Sequence, residues 1–166
     1  MDQETLTDGF MNAYDQYADE LYRFCYFKVS SQERAEDLVQ DVFARYWQAI
    51  REGQEIGNPR AFLFTMARNR IIDWYRKKKD QSLDQLQEEG LDPVGSGAGD
   101  IERSAEMRRA LEAIETLDEP SREAVMLRYM EGWTPAEIAA LTNETANAIS
   151  VRLNRAIKKV QDRLHI

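Results

Sequence analysis

The sequence predicts an all-α protein: two small helical domains joined by a flexible acidic linker. Three observations predict it. Apolar residues recur at three- and four-residue spacing along most of the chain, and no run alternates apolar and polar residues between hairpin turns. The helical periodicity is interrupted once, from Asp80 to Asp100, by QSLDQLQEEGLDPVGSGAGD, which is rich in Gly, Asp, Glu and Ser and has almost no large apolar side chain after Leu91. The expected division is therefore 1–79, a linker at 80–100, and 101–166. With 166 residues, 43% of them apolar, the chain can bury two real cores.

In chain order, the first helix is expected from about Thr7 to Val29, with Tyr14, Tyr17, Leu21, Phe24 and Cys25 facing inward. Ser30 and Ser31 offer N-caps for the second. That helix places Leu38, Val39, Val42, Phe43, Tyr46, Trp47 and Ile50 on one stripe, and Glu33, Asp37, Gln40 and Asp41 opposite. Such a charged face is either solvated or a docking surface. Glu52 to Pro59, with Gly53, Gly57 and the Asn58-Pro59 pair, form a loop into the third helix.

The third helix, NPRAFLFTMARNRIIDWYRKKK from Asn58 to Lys79, is unlike plain scaffold. At 100° per residue, Leu63, Phe64, Ala67, Ile71, Trp74 and Tyr75 form a core stripe. The opposite face carries Phe62, Thr65, Arg68, Asn69, Ile72, Asp73 and Arg76, and Lys77, Lys78 and Lys79 extend the charge. Cations for phosphates, flat groups for stacking and an amide that donates and accepts are what a single-stranded nucleic-acid surface requires. Lysines at a helix C-terminus also complement the macrodipole, so the residues alone leave both readings open.

Charge is distributed unevenly. The net charge is −8, yet 60–79 carries 7 bases and 1 acid, and 145–166 carries 5 bases and 1 acid. The overall acidity suppresses loose electrostatic binding to DNA and leaves recognition to the two basic islands. One cysteine, Cys25, excludes an internal disulfide and reads as a buried thiol. With one histidine, His165, at the end of the chain, no metal cluster and no Cys/His or Ser/His catalytic pair can be assembled, so neither an enzyme nor a cofactor is expected. No apolar run approaches the ~18 residues of a membrane span, and no charged-then-apolar leader follows Met1; a soluble protein that stays in the cytoplasm is expected.

In the second domain, a periodic stretch from Ile101 through Met107, Leu111, Ile114 and Leu117 leads past the break LDEP to a helix at about Ser121 to Met130, ended by Gly132. Then come a short helix capped by Thr134 with Pro135 in its first turn, a turn at Asn143 where a left-handed residue is needed, and a longer basic helix. This is a helix-turn-helix pattern, with Ile138, Leu141, Ile149 and Leu153 as its internal contacts and Ala139 small where the helices approach. On the longer helix, Asn147, Ser150, Val151, Asn154 and Lys158 face away from the apolar side, flanked by Arg152, Arg155, Lys159 and Arg163. Small polar groups at the centre and cations at the edges suit base readout in a major groove with phosphates held alongside.

Three motifs, AEDLVQDVFARYW, NPRAFLFTMARNRIIDWYRKKK, and SREAVMLRYMEGWTPAEIAALT followed by ISVRLNRAIKKV, give the chain a resemblance to bacterial RNA polymerase sigma factors of the extracytoplasmic-function (ECF) type, in the sigma-70 family. The resemblance implies a region 2 bundle at 1–79 that binds core polymerase, reads the minus-ten element and melts it. It implies a region 4 domain at 101–166 that reads the minus-thirty-five element. Carried over by residue, Asp37, Leu38, Gln40 and Asp41 would meet the clamp helices of the polymerase's largest subunit. Phe62, Arg68, Asn69, Asp73, Arg76 and Lys77 would engage the opened strand, and Asn147, Ser150, Val151, Arg152, Asn154, Arg155, Lys158 and Lys159 the upstream duplex. Implied partners are core RNA polymerase, including the flap of its second-largest subunit, promoter DNA and an anti-sigma factor; the free protein is expected to be a monomer. Departures from the family pattern are Asp118 in place of a usual proline, with Pro120 two residues on, Thr142 at an often apolar site, Asn143 at a common glycine site, and Ser150-Val151 in place of a frequent Lys/Arg-Ser pair. No long N-terminal extension and no third folded domain are expected, and the acidic linker is a candidate occupant of the polymerase's basic channels. The rival readings are a stand-alone helix-turn-helix regulator, which leaves the first eighty residues idle, and a sigma mimic that titrates an anti-sigma factor.

Overall fold

The computed structural model describes residues 2–82 and 105–166, and the chain divides into two compact units, Met1–Ser96 and Gly97–Ile166. The stretch at 83–104 lies outside the described residues, and with it most of the expected linker, its proposed channel-filling role and Ile101.

The first unit is three helices, α1 (Gln3–Val29), α2 (Gln32–Arg51) and α3 (Pro59–Ser82). Helix α1 begins earlier than its apolar stripe, because the Asp2 carboxylate accepts the Thr5 amide at 2.9 Å. That bond holds the Asp2 carboxyl below its ordinary pKa. The two candidate caps divide the work: Ser30 takes the left-handed conformation (φ 54°) that closes α1, and the Ser31 hydroxyl accepts the Arg34 amide to open α2. Gly53, at φ +86°, supplies the turn after α2 that a side chain would strain. Asn58 then caps α3, its side-chain oxygen accepting the Ala61 amide at 3.1 Å, and the helix runs three residues beyond Lys79.

Each helix buries one stripe against the other two. Leu21, Phe24 and Cys25 of α1 meet Ala35, Val39, Val42, Phe43 and Tyr46 of α2 and Leu63, Phe64, Ala67 and Ile71 of α3. At the centre, the Phe24 and Phe64 rings lie 5.2 Å apart. The Arg60–Glu20 ion pair, with Nε 2.8 Å from Oε1, and the bond from the Tyr75 hydroxyl to the Lys28 carbonyl tie both ends of α3 to the C-terminal half of α1. Three expected core aromatics sit at the rim instead. Tyr14 and Tyr75 are each 43% exposed and Tyr17 is half-buried, since a phenol keeps its ring on apolar neighbours while its hydroxyl reaches water or, for Tyr75, the Lys28 carbonyl. Tyr14 lies 4.9 Å from Phe43 in a cluster with Phe10, Tyr46 and Trp47.

The second unit comprises α4 (Ala105–Glu115), α5 (Glu119–Val125) running into a π-helical turn (Met126–Met130), α6 (Pro135–Thr142) and α7 (Ala146–Leu164). Helix α5 starts two residues before the expected Ser121, because Pro120 in its first turn has no amide to lose there. Its last turn widens where the chain leaves the helix: the Leu127 carbonyl accepts the Trp133 amide at 2.9 Å, and the Trp133 carbonyl accepts from Arg128 at 3.1 Å. Gly132, at φ +73°, lets the chain fold back so that Trp133 is buried. Leu117, Met126, Leu127, Ile138, Ile149 and Leu153 are buried with it in the core of this unit, whereas Met107, expected in this core, is half exposed.

The helix-turn-helix forms as the local sequence dictates. Thr134 and Glu137 make a reciprocal capping box, with bonds of 3.1 and 3.0 Å, and Asn143 is left-handed at φ 59°. Thr142 fits its usually apolar site by donating to the Ile138 carbonyl at 3.0 Å, and Thr145 caps α7 through the Ala148 amide.

Candidate nucleic-acid and polymerase interfaces

In the first unit, α2 and α3 line one shared groove of about 400 Å³. Helix α2 contributes Arg34, Asp37, Leu38 and Asp41; α3 contributes Arg70, Asp73, Trp74 and Lys77; Val29 of α1 completes the lining. Of the α2 residues singled out in the sequence, Asp37 and Gln40 are exposed, while Leu38 and Asp41 are half-buried. The Asp41 carboxylate is engaged from two directions, by Arg70 Nη2 across the groove at 2.8 Å and by Arg45 Nε one turn along α2 at 3.2 Å.

On α3, Asn69, Asp73, Arg76 and Lys77 are exposed, and Arg68 is half-buried. Asp73 and Lys77 therefore border the same groove as Asp37, Leu38 and Asp41, although the sequence suggests two separate surfaces. Phe62 is half-buried, with its ring 5.8 Å from that of Tyr46. Trp74, expected in the core, lines the groove with its ring between the Arg34 guanidinium at 4.7 Å and the Lys78 ammonium at 4.9 Å. Such cation–π stacking holds the ring at a fixed tilt and is worth ~0.5–1 kcal/mol per contact at exposed sites. Sequence reasoning missed Arg70: its neighbour Asn69 carries the recognisable pattern, and nothing in helical spacing shows that Asp41 lies across from it.

In the second unit, the α7 residues Asn147, Val151, Asn154, Arg155, Lys158 and Lys159 are exposed, and Ser150 is half-buried. Its opposite side, Ile149, Leu153 and Ala156, is buried. Arg152 stands apart from its basic neighbours. Both of its terminal nitrogens donate to Glu144, at 2.8 and 2.6 Å, and that hydrogen bonding holds the guanidinium above its ordinary pKa. The pair clamps the turn to the second helix. Beside it, Asp118 and Ser121 at the α4–α5 corner face Val151, Arg155 and Lys159 across a second groove of about 460 Å³.

Among the described residues, no group of His, Cys, Asp and Glu converges as a metal site would, and no helix is long and apolar enough to cross a membrane. Burial pushes the Cys25 thiol up to about 12.

Two family models match the chain: Sigma-70 region 2 over residues 13–81, and Sigma-70 region 4 over 107–160. Among curated proteins, the chain is 31% identical to the ECF RNA polymerase sigma factor BldN of Streptomyces coelicolor, over 91% of its own length and 58% of that protein's. It is 27% identical to the ECF sigma factor SigL of Mycobacterium tuberculosis, over 89% of this chain and 84% of that one. Among solved structures, it is similar to the sigma factor RpoE of Bartonella quintana, which was crystallised with the anti-sigma factor NepR. The TM-score is 0.73 at 25% identity, covering 95% of this chain and 98% of that one.

Proposed function

Since the chain belongs to the sigma-70 family, among its ECF members, we propose that it binds core RNA polymerase and directs promoter-specific initiation from the cytoplasm. The observation that carries this reading is the pairing, in one chain, of a groove of mixed charge beside the Asn69 face of α3 with a capped helix-turn-helix whose α7 exposes Asn147, Asn154 and Lys158. In this proposal the polymerase's clamp helices take Asp37, Leu38, Gln40 and Asp41, and its flap takes the second unit. The face of Arg68, Asn69, Asp73 and Arg76, continued by Lys77 and with Phe62 at its edge, holds the opened strand.

The mechanism is recruitment, with no covalent step. Duplex opening costs a few kcal/mol for each extruded base, and stacking and pocket contacts recover roughly 1–3 kcal/mol per captured base. Helix α7 reads the upstream element, with Asn154 and Ser150 against base edges and Arg155, Lys158 and Lys159 on phosphates. An anti-sigma factor is a natural partner of such a chain, as NepR is of the Bartonella protein. The stand-alone regulator accounts for the second unit only, whereas the region 2 match spans the first.

In vitro transcription with purified core polymerase and genomic fragments tests the proposal. New start sites that require the protein are expected. Transcripts identical with and without it, together with no binding to core, would overturn it.

A further inference from the structure

Arg70 belongs to neither set of residues assigned above, yet it bridges them. Its guanidinium is 2.8 Å from the Asp41 carboxylate on α2, while its backbone sits on α3 directly after Asn69. At 100° per residue, Asn69, Asp73 and Arg76 share a face, and Arg70 and Lys77 form a cationic edge along it on the groove side, two turns or about 10 Å apart. With side-chain exposures of 34% and 42%, both ends of the Arg70–Asp41 pair are open to competitors. While Nη2 holds Asp41, Arg70 cannot give a phosphate its full bidentate fork.

We propose that Arg70 is a phosphate contact for the single strand bound on α3, held in reserve by Asp41 until a cationic group of the docking partner takes that carboxylate. The proposal deepens the polymerase reading and rests on it for the identity of the competitor. Arg45 stays with Asp41 on α2, one turn along the same helix. Arg70 is the partner of Asp41 that comes from α3, so the exchange is assigned to it. Linkage makes the effect reciprocal: a strand that captures Arg70 leaves the Asp41 carboxylate held from α2 alone and strengthens partner docking by the same factor.

The test uses the full chain without polymerase and a fluorescein-labelled single-stranded oligonucleotide, titrated by anisotropy from 25 to 200 mM salt. Asp41→Asn mimics release of Arg70. It should raise affinity about fivefold at low salt, the scale of one recovered exposed ion pair. It should also steepen the dependence of log K on log salt by about 0.7, the value for one added phosphate contact on a single strand. In the Asp41→Asn/Arg70→Gln double variant both effects should vanish. Asp37→Asn, which removes a charge from the same groove but no arginine partner, should give a smaller gain and leave the slope unchanged. Circular dichroism of each variant confirms an intact fold.

An Asp41→Asn gain that persists without Arg70, no gain at all, or no measurable binding by any variant would each overturn the proposal. A separate pull-down with core polymerase isolates the underlying reading: core binding with a failed cycle refutes the exchange alone, and no core binding refutes the reading whatever the cycle shows.

Discussion

Arg152 and Arg155 project from the same basic row of α7, and replacing each by alanine should have different consequences. Arg152 makes two charge-assisted bonds to Glu144 with side chains 24% and 30% exposed, so the clamp is partly screened. Discounted for solvent, its loss should cost about 1 kcal/mol, the upper end for exposed pairs. For a unit of this size that is roughly 5 °C in Tm. Arg155 is exposed beside the Asn154 readout position, and its removal should leave Tm within about 2–3 °C, as for surface substitutions of under ~0.5 kcal/mol.

On duplex DNA carrying a start-site fragment recovered by transcription, the order reverses. One lost phosphate contact lowers the salt slope by about 0.9. Between 50 and 200 mM salt, the affinity ratio of wild type to Arg155→Ala should therefore shrink about 3.5-fold. Arg152→Ala should keep the wild-type slope. Anisotropy titrations at four salt concentrations, with thermal melts of the same samples, provide the comparison. A slope flattened equally by both substitutions, with Tm unchanged in Arg152→Ala, would refute the reasoning and show that Arg152 leaves Glu144 for a phosphate.

Charge reversal of Asp37 and Asp41 to lysine should weaken core polymerase binding by about tenfold or more while helicity is retained, since like charges across a docking surface are strongly disfavoured; unchanged pull-down refutes the assignment. Asn143→Val should destabilise by about 1–2 kcal/mol, because a β-branched residue is forced into the left-handed region, while Asn143→Gly should be near neutral; equal melting of the two variants would refute this. Cys25, raised from 9.0 to about 12 by burial, should resist thiol reagents at pH 8 until denaturant is added, and fast labelling of the native protein would contradict the structure. Because the folded value lies above the unfolded one, the stability this thiol contributes is full below pH 9 and declines as pH rises toward 12.

The features that were legible in the sequence act over one or two helical turns. Thr134, Glu137 and Pro135 define the start of α6 through bonds no more than three residues apart, and Asn143 must be left-handed because the chain turns there. The apolar stripes of α2 and α3 follow from a 3.6-residue period, and the basic islands from the distribution of charge along the chain. Near neighbours in sequence settle these features, so they survive without knowledge of the fold.

What only the tertiary structure decided depends on which helix lies opposite. Periodicity shows which way Asp41 and Arg70 point, but not that α2 and α3 approach closely enough to join them at 2.8 Å. Trp74 has the spacing of a core residue, yet Arg34 and Lys78 hold it in the groove. Trp133 anchors the second core from a loop with no helical period to reveal it, and Arg152, one cation in a basic row, is set apart by Glu144 across the turn. Each of these contacts closes through space between segments whose separation is set by packing, and one chain's residue pattern encodes a face rather than the neighbour that meets it.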